Sequence, residues 1–269
     1  MIDNYRNLNY NKDIQHGNFN EGVKGMKIIK ALDYNDMSIK AANIISEQIK
    51  IKANSVLGLA TGSSPLQIYK HLIDLYKKGE LDFSQITSFN LDEYYGLSKE
   101  NQQSYHHYMY DNLFNHININ NQNVHIPDGD NKNAEQECLN YEKAILEVGG
   151  IDLQLLGCGH NGHIGFNEPS DIFYPSTHLV KLADSTIQAN KRFFESEDEV
   201  PKYSYTMGIK TIMHAKKIIM IVSGESKKEI VKRAFFEPIT PQVPASVLQL
   251  HRDFTLIVDK AAFSLCENI

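Results

Sequence analysis

The 269 residues carry 33 Asp and Glu against 27 Lys and Arg, a net charge of −6, which excludes a general nucleic-acid binder, whose affinity comes from clustered cations neutralising phosphates. Three cysteines, Cys138, Cys158 and Cys266, lack CxxC spacing, which argues against a disulfide framework and suits a reducing cytoplasm. No run of about 18 apolar residues offers a membrane span and no signal-peptide pattern opens the chain, so a cytoplasmic protein with one sizeable core is expected.

Residues 1–25 are rich in Asn, Asp and Gly and show neither alternation nor helical period, which predicts an extension outside the core followed by a single domain over 26–269. A short strand at 27–31 leads to Met37, Ala41, Ile44, Ile45 and Ile49, which recur near helical spacing. A strand at 55–60 ends in the turn Thr61-Gly62-Ser63, and Ser64-Pro65-Leu66-Gln67 reads as N-cap, first-turn proline and capping-box glutamine of the next helix. A strand at 86–91 runs into Asp92-Glu93-Tyr94, and a helix follows at 105–114. The helix predicted at 134–148 is capped by Gly149-Gly150 and precedes the apolar run 151–156. A strand at 217–222, a helix at 227–236 and a strand at 254–258 complete the series. Strand and helix alternate throughout, which predicts a Rossmann-like α/β fold: a mostly parallel sheet with helices on both faces and ligands at the carboxyl ends of its strands.

Polar motifs begin where these strands end. After 151–156 comes Gly157-Cys158-Gly159-His160-Asn161-Gly162-His163-Ile164-Gly165-Phe166-Asn167-Glu168-Pro169, and six of the sixteen glycines lie between Gly149 and Gly165. A strand broken by so many glycines is a backbone turned sharply to aim polar side chains, although Gly and Asn also mark plain turns. The small-residue turn at Thr61, Gly62 and Ser63 feeds a helix N-terminus, where free amides and the helix dipole favour a phosphate, or which serves only to cap the helix. Adjacent carboxylates at Asp92 and Glu93 read either as a catalytic base or as an exposed acidic turn. Cys158, His160, His163 and Glu168 bring metal-binding atoms together, but their spacing matches neither HExxH nor a finger pattern, so no metal site is expected. Arg192, in Asn190-Lys191-Arg192-Phe193-Phe194, and Lys227, opening a helix, are candidates for a phosphate pocket that wants one forked and one point cation.

Over roughly 26–259 these segments, in order, resemble the glucosamine-6-phosphate deaminase family of amino-sugar phosphate isomerases. The resemblance rests on Gly58-Leu59-Ala60-Thr61-Gly62, Ser88-Phe89-Asn90-Leu91-Asp92-Glu93-Tyr94, Gly162-His163-Ile164-Gly165-Phe166-Asn167-Glu168-Pro169, Ala189-Asn190-Lys191-Arg192-Phe193-Phe194, Val200-Pro201-Lys202 and Leu248-Gln249-Leu250-His251. The related 6-phosphogluconolactonases share the fold, a phosphate turn and a Gly-His, but Glu168-Pro169 and Tyr94 favour the deaminases. A sugar-phosphate sensor of the same fold would need neither Asp92 nor His163.

The resemblance implies conversion of D-glucosamine 6-phosphate and water to D-fructose 6-phosphate and ammonia, in amino-sugar (N-acetylglucosamine) catabolism, with neither metal nor organic cofactor. It makes Asp92 the base that moves a proton between C2 and C1, and His163 the group that opens the pyranose ring with help from Asn161 and Glu168. Thr61, Gly62, Ser63, Arg192 and Lys227 would hold the 6-phosphate, with Arg192 on a lid over 182–202. The expected partner is this small sugar phosphate, with no nucleic acid and no membrane; the sequence leaves monomer and homo-oligomer both open. Many members of the family carry Asp where this chain has Asn161, and a neutral amide would stabilise an imidazolium less than a carboxylate does. In regulated members two basic residues after Asn-Glu-Pro bind N-acetylglucosamine 6-phosphate; aligned without gaps these positions fall on His178 and Val180, which predicts no such activation.

Overall fold

The computed structural model describes residues 25–183, 187, 194 and 199–267. The N-terminal extension expected at 1–25 lies outside these residues except for Gly25, and so does most of the lid expected at 182–202, Arg192 included.

Strand β1 (Lys27–Ala31) passes through Asp33, whose side chain accepts from the Asp36 amide, into α1 (Tyr34–Ile51). There follow β2 (Val56–Leu59), α2 (Leu66–Lys77), β3 (Thr87–Asn90), β4 (Asp92–Tyr94) and α3 (Tyr105–Asn112). Next come β5 (Val124–His125), α4 (Ala134–Glu147), β6 (Leu153–Gly157), β7 (His178–Lys181) and β8 (Tyr203–Thr206). The last described elements are α5 (Ile209–Met213), β9 (Lys217–Val222), α6 (Lys228–Phe235), β10 (Phe254–Asp259) and α7 (Lys260–Phe263).

Seven strands form one parallel sheet in the order β1-β10-β9-β6-β2-β3-β5. Their apolar runs, such as Ile218 to Val222 and Phe254 to Val258, are buried throughout, as a parallel sheet covered on both faces requires. From β2 the chain steps outward to β3 and β5, then returns to β6 on the other side of β2 and steps through β9 to β10. Loops leaving β2 and β6 therefore diverge, and the gap between them is where such sheets bind ligands. The two strands approach closely because position 58 is glycine: a Cβ there would lie 2.0 Å from Gln154 Oε1.

A second, antiparallel sheet, β4-β8-β7, was not apparent from the sequence. Its three strands have three or four residues each, and β4 pairs with a segment more than a hundred positions away, Asp92 facing Thr206. Such short pieces carry no apolar period of their own.

The ends of two helices differ in how well the sequence foretold them. At α4 the Gly150 amide donates to Ile145 O at 2.9 Å and the Gly149 amide to Leu146 O at 3.0 Å, both glycines having positive φ, so the expected glycine cap is present. At α2 the expected capping box is absent: the helix starts at Leu66, Pro65 occupies the N-cap without a side-chain bond, and the Gln67 amide meets the Tyr34 hydroxyl of α1 at 3.4 Å. A tyrosine from a neighbouring helix takes the place that Ser64 was expected to fill.

Candidate active site

Four neighbouring strands of the parallel sheet, β9, β6, β2 and β3, end on one cleft of about 540 Å³. Residues 61–64 after β2, Asp92 after β3, residues 157–166 at and after β6 and Lys227 after β9 line it, so the motifs read from sequence converge as the alternation predicted.

Asp92 and Glu93 are not an exposed acidic turn: they are only 7% and 2% exposed. Adjacent strand residues point to opposite faces, and these two carboxyls have different surroundings. Glu93 accepts the Tyr94 and Tyr105 amides at 2.8 and 2.9 Å on one oxygen and the His106 amide at 2.8 Å on the other, so it seats the first turn of α3. Burial pushes its carboxyl up to about 7 while those three amides pull it down. Asp92 faces the cleft and has no side-chain hydrogen bond among the described residues. Burial, with Glu93's charge as the smaller cause, pushes it up to about 8. Such a carboxylate is poorly solvated and correspondingly basic.

Across the cleft, a Gly-rich loop presents the imidazole. A Cβ on Gly159 would lie 2.3 Å from His163 Cε1, so the ring occupies space that only glycine leaves open. His163 Nδ1 stands 3.4 Å from Glu168 Oε1, an ion-pair distance longer than a good hydrogen bond. Asn161 binds the other side of that carboxylate, its Nδ2 donating to Glu168 Oε2 at 2.6 Å, and its Oδ1 accepts the His163 backbone amide at 3.1 Å. No hydrogen bond joins Asn161 to the ring itself among the described residues, so its link to the imidazole runs through Glu168 and the backbone. His160 and Cys158 also line the cleft, yet no group of three or more His, Cys, Asp or Glu able to hold a metal occurs among the described residues.

Thr61, Gly62 and Ser63 line the cleft as expected, together with Ser64, which the sequence offered only as a cap. Gly62 has φ of 94°, a conformation that favours glycine. Lys227 reaches the same cleft and donates to Cys158 O at 2.7 Å; burial lowers its pKa. Tyr105 and Phe166 are lining residues that sequence reasoning missed, stacked with their rings 6.1 Å apart. The one available signal was Ser104 as the cap of α3, which locates the helix without showing that its first residue faces the cleft.

The profile of the family described as glucosamine-6-phosphate isomerases/6-phosphogluconolactonase matches residues 34–257. The glucosamine-6-phosphate deaminase of Lachnoclostridium phytofermentans is 58% identical over 232 residues, covering 86% of this chain and 98% of the relative. That of Clostridium acetobutylicum is 56% identical over 237 residues, covering 88% and 98%. Among solved structures, a monomeric glucosamine-6-phosphate deaminase superposes with a TM-score of 0.86 at 46% identity, covering 89% of this chain and all 100% of its own. The 6-phosphogluconolactonase of Trypanosoma brucei, at 18% identity and a TM-score of 0.70 over 91% of this chain and 100% of its own, shares the fold.

Burial of Asp92 has a consequence for stability. Its folded-state pKa near 8 lies above the ordinary value of 3.8, so the folded chain holds a proton that the unfolded chain releases, and stability falls as pH rises between those limits. Asp92→Asn removes the titrating group and breaks no hydrogen bond among the described residues. The variant should melt above the parent at pH 8.5, and the gap should close toward pH 4, by at most about 1.4 kcal/mol per pH unit. Thermal melts at a series of pH values check this; a gap independent of pH would contradict it.

Proposed function

The chain belongs to the family of glucosamine-6-phosphate isomerases and 6-phosphogluconolactonases, and we propose that it deaminates D-glucosamine 6-phosphate to D-fructose 6-phosphate and ammonia. The observation that carries this reading is the pairing, in one cleft, of a buried carboxylate and a carboxylate-backed imidazole, Asp92 and His163, beside a turn whose amides, like the Asp92 side chain, make no hydrogen bond among the described residues. Isomerisation followed by deamination needs both groups.

His163 opens the pyranose by taking the proton of the anomeric hydroxyl and returning one to the ring oxygen, while Glu168, held by Asn161, balances the charge that forms on the imidazole. Asp92 then removes the C2 proton of the open-chain aldehyde, giving an enol at C1 with the amine on C2. Returned to C1, the proton leaves an imine at C2, which water hydrolyses to the ketone with loss of ammonia. The amides of the turn at 61–64 and the Lys227 ammonium hold the 6-phosphate and so fix which carbon faces Asp92. Arg192 joins them in this reading on resemblance alone.

Asp92 acts only when ionised, so kcat/KM should rise with pH and level off above about 8, in place of the plateau from about pH 5 that an ordinary carboxylate would give. Asp92→Asn should lower kcat by about 10² to 10⁴ and abolish exchange of the C2 hydrogen with solvent deuterium. Exchange that persists in this variant would remove Asp92 from the role.

Activation by N-acetylglucosamine 6-phosphate is not expected. His178 lies in β7, its Nδ1 2.9 Å from Ser176 O and its ring stacked 4.9 Å from Tyr174, and burial lowers its pKa, so it offers no fixed charge. Val180 packs against the apolar cluster of Tyr94, Phe166 and Leu182 and has no donor to give. Steady-state rates at low substrate should be hyperbolic and unchanged by the effector; a sigmoidal curve that the effector makes hyperbolic would contradict this.

A further inference from the structure

The turn at 61–64 is held from behind by tyrosines. Tyr69 of α2 donates its hydroxyl to Ala60 O at 2.5 Å, Tyr108 of α3 to Gly62 O at 2.5 Å, and Tyr34 of α1 stands 2.9 Å from Ser63 O and 3.1 Å from Ser64 O. Three helices thus each send one phenol to the same stretch of backbone. None of the three side chains lines the cleft, whereas Thr61, Gly62, Ser63 and Ser64 all do. The amides of those four residues make no hydrogen bond among the described residues.

A trans peptide points its N–H opposite to its C=O. Fixing the Ala60 carbonyl therefore aims the Thr61 amide, fixing the Gly62 carbonyl aims the Ser63 amide, and fixing the Ser63 carbonyl aims the Ser64 amide, each away from the phenol that holds it. We propose that Tyr34, Tyr69 and Tyr108 are positioning residues for the phosphate group, turning three backbone amides of the 61–64 turn into the cleft before substrate arrives. The proposal rests on the phosphorylated substrate argued above, and it adds where the affinity for that phosphate originates.

The arrangement answers a physical difficulty. A loop that carries Gly62 at positive φ and two serines has many conformations available, and unpartnered carbonyls facing an anion would repel it. Each phenol gives its carbonyl a partner on the far side of the loop, so the peptide planes cannot flip without breaking a bond. Burial raises the pKa of Tyr69 and Tyr108, so both remain donors over the working range of an enzyme. A preorganised nest of this kind binds without spending binding energy on ordering the loop.

Tyr108 offers the clean test, because Phe keeps its ring and removes only the hydroxyl. One such hydrogen bond contributes about 0.5–1.5 kcal/mol, a factor of about 2 to 12. Tyr108→Phe should raise KM for glucosamine 6-phosphate by that factor with kcat within about twofold of the parent, and should raise the calorimetric dissociation constant of inorganic phosphate by the same factor. Tyr34→Phe should behave likewise. Tyr110→Phe, which removes a hydroxyl from the same helix without touching the turn, is the control and should change neither constant. A parent that binds phosphate but turns over no glucosamine 6-phosphate would sink the deaminase reading, while the phosphate calorimetry would still decide the role of the tyrosines. Phosphate affinity unchanged in Tyr108→Phe, no phosphate binding by the parent, or equal losses in Tyr110→Phe would each overturn the inference.

Discussion

One buried carboxyl, Asp92, with no side-chain hydrogen bond among the described residues, is the constraint around which the site is built. A buried carboxylate normally acquires donors, because leaving it bare costs several kcal/mol. Asp92 has no such donor among the described residues on the cleft side, and its neighbour Glu93 receives three amides on the opposite side of the same short strand. Those bonds fasten β4 to the start of α3, and pairing with β8 holds its other edge, Asp92 opposite Thr206 and Tyr94 opposite Ser204. The small antiparallel sheet fixes the buried carboxyl that the large parallel sheet delivers. Without Glu93's anchorage, the backbone could rotate and let water or a loop amide solvate Asp92, lowering its basicity.

The large sheet contributes the meeting point. Because the chain leaves β2 in one direction and returns through β6 on its other side, the 61–64 turn and the 157–166 loop must diverge from adjacent strands. The 61–64 turn and the imidazole thus stand at neighbouring strand ends, with Asp92 one strand further on, at the end of β3. Helices α1, α2 and α3 carry the tyrosines behind the turn, so their packing and the shape of the 61–64 turn are one problem. A shift of any of these helices would be felt at the turn.

Much of this was legible in the sequence, and what was not has a physical reason. The long strands announced themselves as apolar runs ending in glycine-rich or polar motifs, since a strand buried on both faces has no alternative composition. Asp92, Asn161, His163, Glu168 and Lys227 could be singled out because they follow such runs. By contrast, Tyr203-Ser204-Tyr205-Thr206 reads as nothing until Asp92-Glu93-Tyr94 lies against it, because a three-residue pairing takes its order from tertiary contact alone. Tyr34, Tyr69 and Tyr108 look like ordinary amphipathic-helix residues; only their shared target, a loop between β2 and α2, separates them from the other tyrosines. The capping box at Ser64 failed for the same reason, the Tyr34 hydroxyl having taken the amide that local rules assign to a local side chain.

The neutral Asn161 is the last piece of the electrostatic arrangement. Its Nδ2 lies 2.6 Å from Glu168 Oε2, close enough that a charged carboxylate in its place would repel Glu168. An amide avoids that conflict: it donates to one oxygen of Glu168, while the other stands 3.4 Å from His163 Nδ1. Since Asn161 Oδ1 also accepts the His163 amide, one side chain fixes both the backbone under the imidazole and the carboxylate beside it. In the proposed ring opening, Asn161 thus contributes by orientation where a second carboxylate would contribute by charge.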